Sequence, residues 1–124
     1  MTRAVPRAAA LALSAALWVA PAAGEEVAGG RGAILRGLDK VTGSSTDLTV
    51  ANGDTVSFGS LSVTVSDCRY PVADPTSNAY AHVTIYDPSQ ATPVFSGWMV
   101  ATSPALSALD HPRYDIWVIR CISS

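Results

Sequence analysis

The sequence predicts an all-β domain, a small antiparallel β-sandwich or barrel of about seven strands with one short helix and one disulfide. Three observations carry that prediction. Apolar and polar residues alternate strictly over residues 61–67 (LSVTVSD), the period of a half-buried strand. Turn-forming residues recur between such runs, at Gly43-Ser44-Ser45, at Asn52-Gly53 and in the proline-containing stretches 69–78 and 88–93. Two cysteines, Cys68 and Cys121, each follow or end a strand-like run.

Ahead of the domain, residues 1–7 are short and positive through Arg3 and Arg7. Residues 8–20 are apolar except for Ser14, and Ala22-Ala23-Gly24 offers small residues before Glu25-Glu26. That tripartite pattern reads as a secretory leader over residues 1–24, cleaved within Ala22–Gly24. The apolar run is shorter than the ~20 residues that span a bilayer. Neither a twin arginine nor a lipid-bearing cysteine accompanies it. A soluble periplasmic chain is therefore expected, with no membrane insertion after cleavage; a retained N-terminal anchor is the alternative. Residues 25–32, rich in glycine and alanine, read as a flexible lead-in, and residues 33–124 as a single β domain.

Within the domain, residues 33–41 (AILRGLDKV) set Ile34 and Leu38 opposite Leu35 and Val41. Residues 47–51 and 55–58 flank Asn52-Gly53, a dipeptide suited to a tight hairpin turn. In residues 61–67, Leu61, Val63 and Val65 share one face. In residues 80–87 (YAHVTIYD), Ala81, Val83 and Ile85 oppose Tyr80, His82, Thr84 and Tyr86. Residues 94–100 (VFSGWMV) carry Phe95, Trp98 and Met99. Ser103-Pro104 suits a helix start, with serine as the cap and proline in the first position. A short helix over residues 105–109 would follow, stopped by His111-Pro112. Residues 114–121 (YDIWVIRC) form the last strand, with Trp117 on the face of Asp115 and Cys121, opposite Ile116 and Val118.

Without the leader the chain has six basic and ten acidic residues, a formal charge of −4. Arg31, Arg36, Lys40, Arg69, Arg113 and Arg120 are scattered singly, whereas binding to nucleic acid or to an anionic membrane needs clustered positive charge. In an oxidising compartment two cysteines pair by default, and closing this loop adds about 4 kcal/mol in the chain-entropy model. A redox pair or a catalytic thiol is the competing reading, without a Cys-x-x-Cys spacing to support it.

Three segments carry a resemblance to a known family. They are Leu35-Arg-Gly-Leu-Asp-Lys-Val-Thr-Gly43, Phe58-Gly-Ser-Leu-Ser-Val63 followed by Cys68, and residues 95–121 (FSGWMVATSPALSALDHPRYDIWVIRC), the most specific. Together they resemble DUF2155, a family of exported bacterial proteins catalogued as a domain of unknown function. The resemblance implies a signal peptide and two cysteines at matching places. It departs after Cys68, where the loop is shorter and less proline-rich than the family's usual one. It brings no activity. It implies an envelope accessory protein, with an inner-membrane complex as one setting for the partner.

Candidate chemistry is sparse. Ser103, His111 and Asp115 could form a hydrolytic triad, but Gly-x-Ser-x-Gly is absent and Ser103 serves equally as a cap. His82, His111, Asp110 and Asp115 could bind a metal, but their spacing matches no zinc motif. Most aspartates stand at strand ends or turns, where they bond backbone amides. No catalytic residue, metal or cofactor is therefore assigned. The aromatics are the strongest hint: Trp98, Tyr114 and Trp117 cluster with Met99, as residues of an interface or as filler of a small core. The expectation is a non-catalytic binding or accessory domain docking on another envelope protein. Its contact surface would be Trp98, Met99, His111, Tyr114, Asp115 and Trp117. The alternatives are a small hydrolase using His111 and Asp115, and a carbohydrate-binding module.

Overall fold

The computed structural model describes residues 24–106, 109 and 111–123, so the leader expected over residues 1–24 lies, up to residue 23, outside the described residues. Eight strands run in chain order: β1 (Val27–Gly29), β2 (Gly32–Asp39), β3 (Ser45–Ala51), β4 (Thr55–Phe58), β5 (Leu61–Pro71), β6 (Tyr80–Tyr86), β7 (Phe95–Val100) and β8 (Tyr114–Ile122). All pairings are antiparallel. One sheet has the order β1-β5-β6-β7, with β4 also on β5, and the other has β3-β2-β8. Their inner faces meet in an apolar core that includes Leu35, Val50, Val63, Val65, Val83, Ile85, Met99 and Val118. This is a sandwich-like all-β fold, as the alternation predicts.

The seven expected strands are present, with small differences at their ends, and three local expectations are corrected. Val27–Gly29, within the expected lead-in, pairs with Arg69–Pro71, so β5 runs on into the stretch expected as loop. Cross-strand backbone bonds order this segment although its side chains give no periodic signal. Asn52-Gly53 closes no hairpin, because β3 and β4 belong to different sheets. Gly53 has φ +87°, and among the described residues no non-glycine residue has positive φ. A type I′ hairpin turn requires positive φ at both central residues. With the Asp54 amide donating to the Ala51 carbonyl (2.9 Å), the turn instead carries the chain between sheets. The expected helix over residues 105–109 begins as a single 3₁₀ turn, Pro104–Leu106. Residues 107, 108 and 110 lie outside the described residues. So short a segment cannot offset the cost of nucleating an α-helix, and a 3₁₀ turn suits such pieces.

Two β-bulges aim the cysteines. On β5, Val65 pairs with Val83 but Asp67 with His82, leaving Ser66 as the extra residue. On β8, Val118 pairs with Leu35 but Arg120 with Ile34, leaving Ile119 extra. An extra residue reverses the facing of everything beyond it, because side chains alternate with period two. Strict alternation from Leu61 would turn Cys68 away from the core, and strict alternation from Ile116 would do the same to Cys121. The bulges bring both inside, where Cys68 and Cys121 form a disulfide across the two sheets with a Cα–Cα distance of 5.7 Å. Cys121 therefore does not share the face of Trp117, contrary to the simple alternation.

Candidate functional site

The six residues expected to form one surface occupy four places. Met99 is only 2% exposed and packs in the core, so it contributes to no surface. Its β7 neighbours alternate: Phe95 packs against the core, while Ser96 and Trp98 face outward. Trp117 and Asp115 line a shallow groove of about 260 Å³ with Pro104, Ala105, Leu109 and Ile116. Asp115 also lies 3.5 Å from Lys40 Nζ. Trp98 and Trp117 thus sit on the outer faces of different sheets, a separation that follows from strand order and is invisible in a linear reading.

His111 and Tyr114 belong to a buried corner. His111 is 9% exposed and both ring nitrogens are engaged. Nδ1 accepts the backbone N–H groups of Arg113 (3.0 Å) and Tyr114 (3.2 Å), while Nε2 lies 3.0 Å from Asp87 Oδ2. Two donors aimed at Nδ1 leave the ring proton on Nε2, which donates to the Asp87 carboxylate. Asp87 in turn accepts at Oδ1 from the Ser89 amide (3.0 Å) and hydroxyl (2.8 Å). The Ser89 amide first, then His111 and the Ser89 hydroxyl, hold the Asp87 carboxyl below the usual carboxylate range. The Tyr114 ring meets Phe58 edge-on at 5.3 Å and His111 at 5.1 Å, with the Arg113 guanidinium 5.4 Å from its centroid. Gly37 of β2 faces the Phe58 ring so closely that a Cβ would collide with it. The Arg113 guanidinium binds both oxygens of Asp39, with its Nη2 2.8 Å from Oδ2. That bond above all, aided by the Val41 and Thr42 amides, lowers the Asp39 carboxyl to about 2. Lys40 Nζ donates to the His111 carbonyl at 2.8 Å. The corner ties the β2–β3 turn, the end of β4, the end of β6 and the start of β8 into one unit.

No hydrogen bond joins His111 to Ser103 or Asp115 among the described residues, and both of its ring nitrogens are bonded to Asp87, Arg113 and Tyr114. Asp110, one of the candidate metal ligands, lies outside the described residues. No group of three histidine, cysteine, aspartate or glutamate side chains converges among the described residues.

The open surface lies elsewhere, on the outer face of the five-stranded sheet. Trp98 is 45% exposed and meets the His82 ring in a T-shaped arrangement, centroids 5.3 Å apart. Asp67, His82 and Trp98 stand in register on β5, β6 and β7. The bulge residue Ser66 places its hydroxyl 2.8 Å from His82 Nδ1 and 3.3 Å from the His82 carbonyl, which ties the bulge to the next strand. Arg69 Nε donates to Asp67 Oδ2 at 3.0 Å. The Tyr80 hydroxyl donates to Glu25 Oε1 at 2.9 Å, and that bond raises the Tyr80 pKa. Tyr86, also exposed, extends the aromatic area along β6. Sequence reasoning missed Ser66, Asp67, His82 and Tyr86 as members of this face, and missed Asp87 as the partner of His111. Strand alternation signals the outward set on β6, and Asp87-Pro-Ser89 signals a turn in which aspartate bonds backbone. Neither reveals which strands are neighbours.

Comparison with known proteins gives one family. The family model described as "Uncharacterized protein conserved in bacteria (DUF2155)" matches residues 33–121. An uncharacterised protein of Rickettsia prowazekii (strain Madrid E) is 29% identical over 87 residues, covering 68% of this chain and 56% of that protein. The chain thus spans little more than half the length of this relative. No solved structure matches the chain significantly. No helix among the described residues is long and apolar enough to cross a membrane.

Proposed function

Starting from the fact that the chain belongs to the DUF2155 family of uncharacterised bacterial proteins, we propose that it is an exported, non-catalytic accessory domain that docks on another protein of the cell envelope through the Trp98–His82 face. The observation that carries this reading is the exposure of Trp98 on an ordered sheet face, edge-packed on His82 and next to a strand that presents Tyr86. Tryptophan and tyrosine supply large contact area at little entropic cost and dominate the energetics of many interfaces. The leader pattern of residues 1–24 supports periplasmic placement, and a disulfide that links two sheets suits an oxidising compartment. A disulfide-tied sandwich is rigid, so little conformational freedom is lost on binding.

The test is a crosslinked affinity purification of the tagged full chain from whole envelopes, quantified by mass spectrometry beside a Trp98→Ala copy. A near-stoichiometric envelope protein, depleted at least tenfold by the substitution, is the expected outcome. An equally enriched partner with both copies, or none with either, contradicts the docking reading. One observation favours carbohydrate binding as a second reading: on the face of the exposed Trp98, Asp67 stands in register with it across His82, and the hydrogen-bonding side chains of Arg69 and Tyr80 follow two residues along β5 and β6. Trp98-dependent retention on a polysaccharide matrix would select it over protein docking.

A further inference from the structure

A second site stands apart from the Trp98 face and does not rest on the docking proposal. Among the described residues, four of the six basic side chains after residue 24 have a carboxylate partner. The pairs are Arg36–Asp47, Lys40–Asp115, Arg69–Asp67 and Arg113–Asp39. The two without one, Arg31 and Arg120, line the same groove, which has a volume of about 360 Å³. That size falls in the range of small ligand sites, about 300–1,000 Å³. Arg31 is held there by its own backbone and side chain: its amide donates to the Ile122 carbonyl (2.8 Å) and its Nε to the Ser123 carbonyl (3.0 Å). A carbonyl orients the guanidinium without neutralising it. Arg120 is exposed at the β8 bulge, paired in register with Ile34. The Asp47 carboxyl is lowered first by its hydrogen bonds to Arg36 and only last by the charge of Arg120, which makes no contact with it. Ile34 and Ile122 add apolar lining to the groove, and Tyr70 and Thr76 line it as well.

We propose that this groove binds an acidic peptide segment of a partner protein, a carboxylate reaching Arg31 and Arg120 while an adjoining apolar side chain lies on Ile34 and Ile122. Charge complementarity selects the occupant. Two guanidinium groups without a carboxylate in contact suit carboxylates, which they bind through paired N–H donors. Two cations are too few for a nucleic acid, whose binding rests on many phosphate contacts. The −4 balance of residues 25–124 repels an anionic bilayer, so only a local contact survives the wider field.

The test uses the full chain purified from cells and a fluorescent, end-blocked peptide of alternating glutamate and leucine, read by anisotropy. Inorganic phosphate and phosphatidylglycerol vesicles serve as separate probes. The expected result is saturable peptide binding that weakens roughly fivefold for Arg120→Gln and for Arg31→Gln. Binding should also weaken from low to high salt, as exposed charges are screened. Arg36→Gln, which removes an already paired cation, should leave it unchanged. Thr76→Glu sets a competing carboxylate in the groove from an exposed loop and should weaken binding without touching the core. That variant keeps the test decisive if Arg31→Gln fails to fold. Absence of peptide binding, equal loss with Arg36→Gln, or tighter binding to phosphate or vesicles than to peptide would each overturn the proposal.

Discussion

His111 is 9% exposed and has both ring nitrogens occupied, whereas His82 lies on an open sheet face beneath a Trp98 that is 45% exposed. These are the chain's two histidines, and each sits beside an aromatic ring and an aspartate. The same residue types therefore build two different things. At the His111 corner both ring nitrogens are bonded within the chain, and Tyr114 packs on Phe58 of β4 at the start of β8. On the His82 face the polar atoms tie down the bulge at Ser66, and the aromatic surface is left to solvent. A histidine near a serine or aspartate in the chain is poor evidence of chemistry; what its ring nitrogens touch decides its role.

The comparison can be broken or sharpened by substitution. The largest effect is expected on the His82 side, but from the disulfide behind the bulge and not from the histidine. Replacing Cys68 and Cys121 by serine removes the cross-link, and the loss should approach ~4 kcal/mol. Deleting Ser66 removes only the extra residue, keeps the register of Asp67 with His82 and leaves Cys68 facing inward, so the disulfide should persist. Alkylation followed by mass spectrometry would count the thiols, and free thiols in the deletion variant would refute the bulge argument. Next, Tyr114→Ala should cost about 3–5 kcal/mol, the range for emptying a buried aromatic site. Trp98→Ala should cost under about 1 kcal/mol, because half-exposed side chains lose little on truncation. Urea unfolding measures both.

A smaller contrast separates the histidines themselves. His111→Ala strands the Asp87 carboxylate and two backbone amides, for an expected loss of about 2–3 kcal/mol. His82→Ala should stay within about 0.5–1 kcal/mol. Equal losses would erase the distinction between a structural corner and an open face. The smallest effect is the pH response of the corner. Asp39 is held at about 2 against an ordinary 3.8, chiefly by Arg113. A carboxylate with a depressed folded-state pKa contributes stability that is complete above its unfolded value and is lost as pH falls towards the folded one. Acid unfolding should therefore steepen between pH 4 and 2, and Asp39→Asn should flatten that segment while lowering stability at neutral pH. An unchanged acid profile in the variant would mean that the Arg113–Asp39 pair contributes nothing.

Much of the fold was legible in the residues. Strict alternation in β5 and β6 fixed their inner faces as far as Val65 and Ile85, and turn residues separated the strands. Three features escaped for physical reasons. β1 is three residues of valine, alanine and glycine, ordered by backbone pairing that leaves no side-chain pattern. The bulges at Ser66 and Ile119 look like ordinary strand residues, yet each reverses the facing of a cysteine. The site depended on register: Asp67, His82 and Trp98 become neighbours only once β5, β6 and β7 are aligned, and Trp117 leaves the group because β8 joins the other sheet. Grouping Trp98, Met99 and Trp117 by closeness in sequence could not anticipate that.

The central claim is that the Trp98–His82 face serves contact while the His111–Tyr114 corner serves stability. The most direct measurement combines envelope-partner recovery and unfolding free energy for Trp98→Ala and Trp117→Ala in parallel. The account predicts that Trp98→Ala keeps native-like stability and loses the partner, whereas Trp117→Ala retains it. Partner recovery that survives Trp98→Ala, or that falls only in step with lost stability, would contradict it.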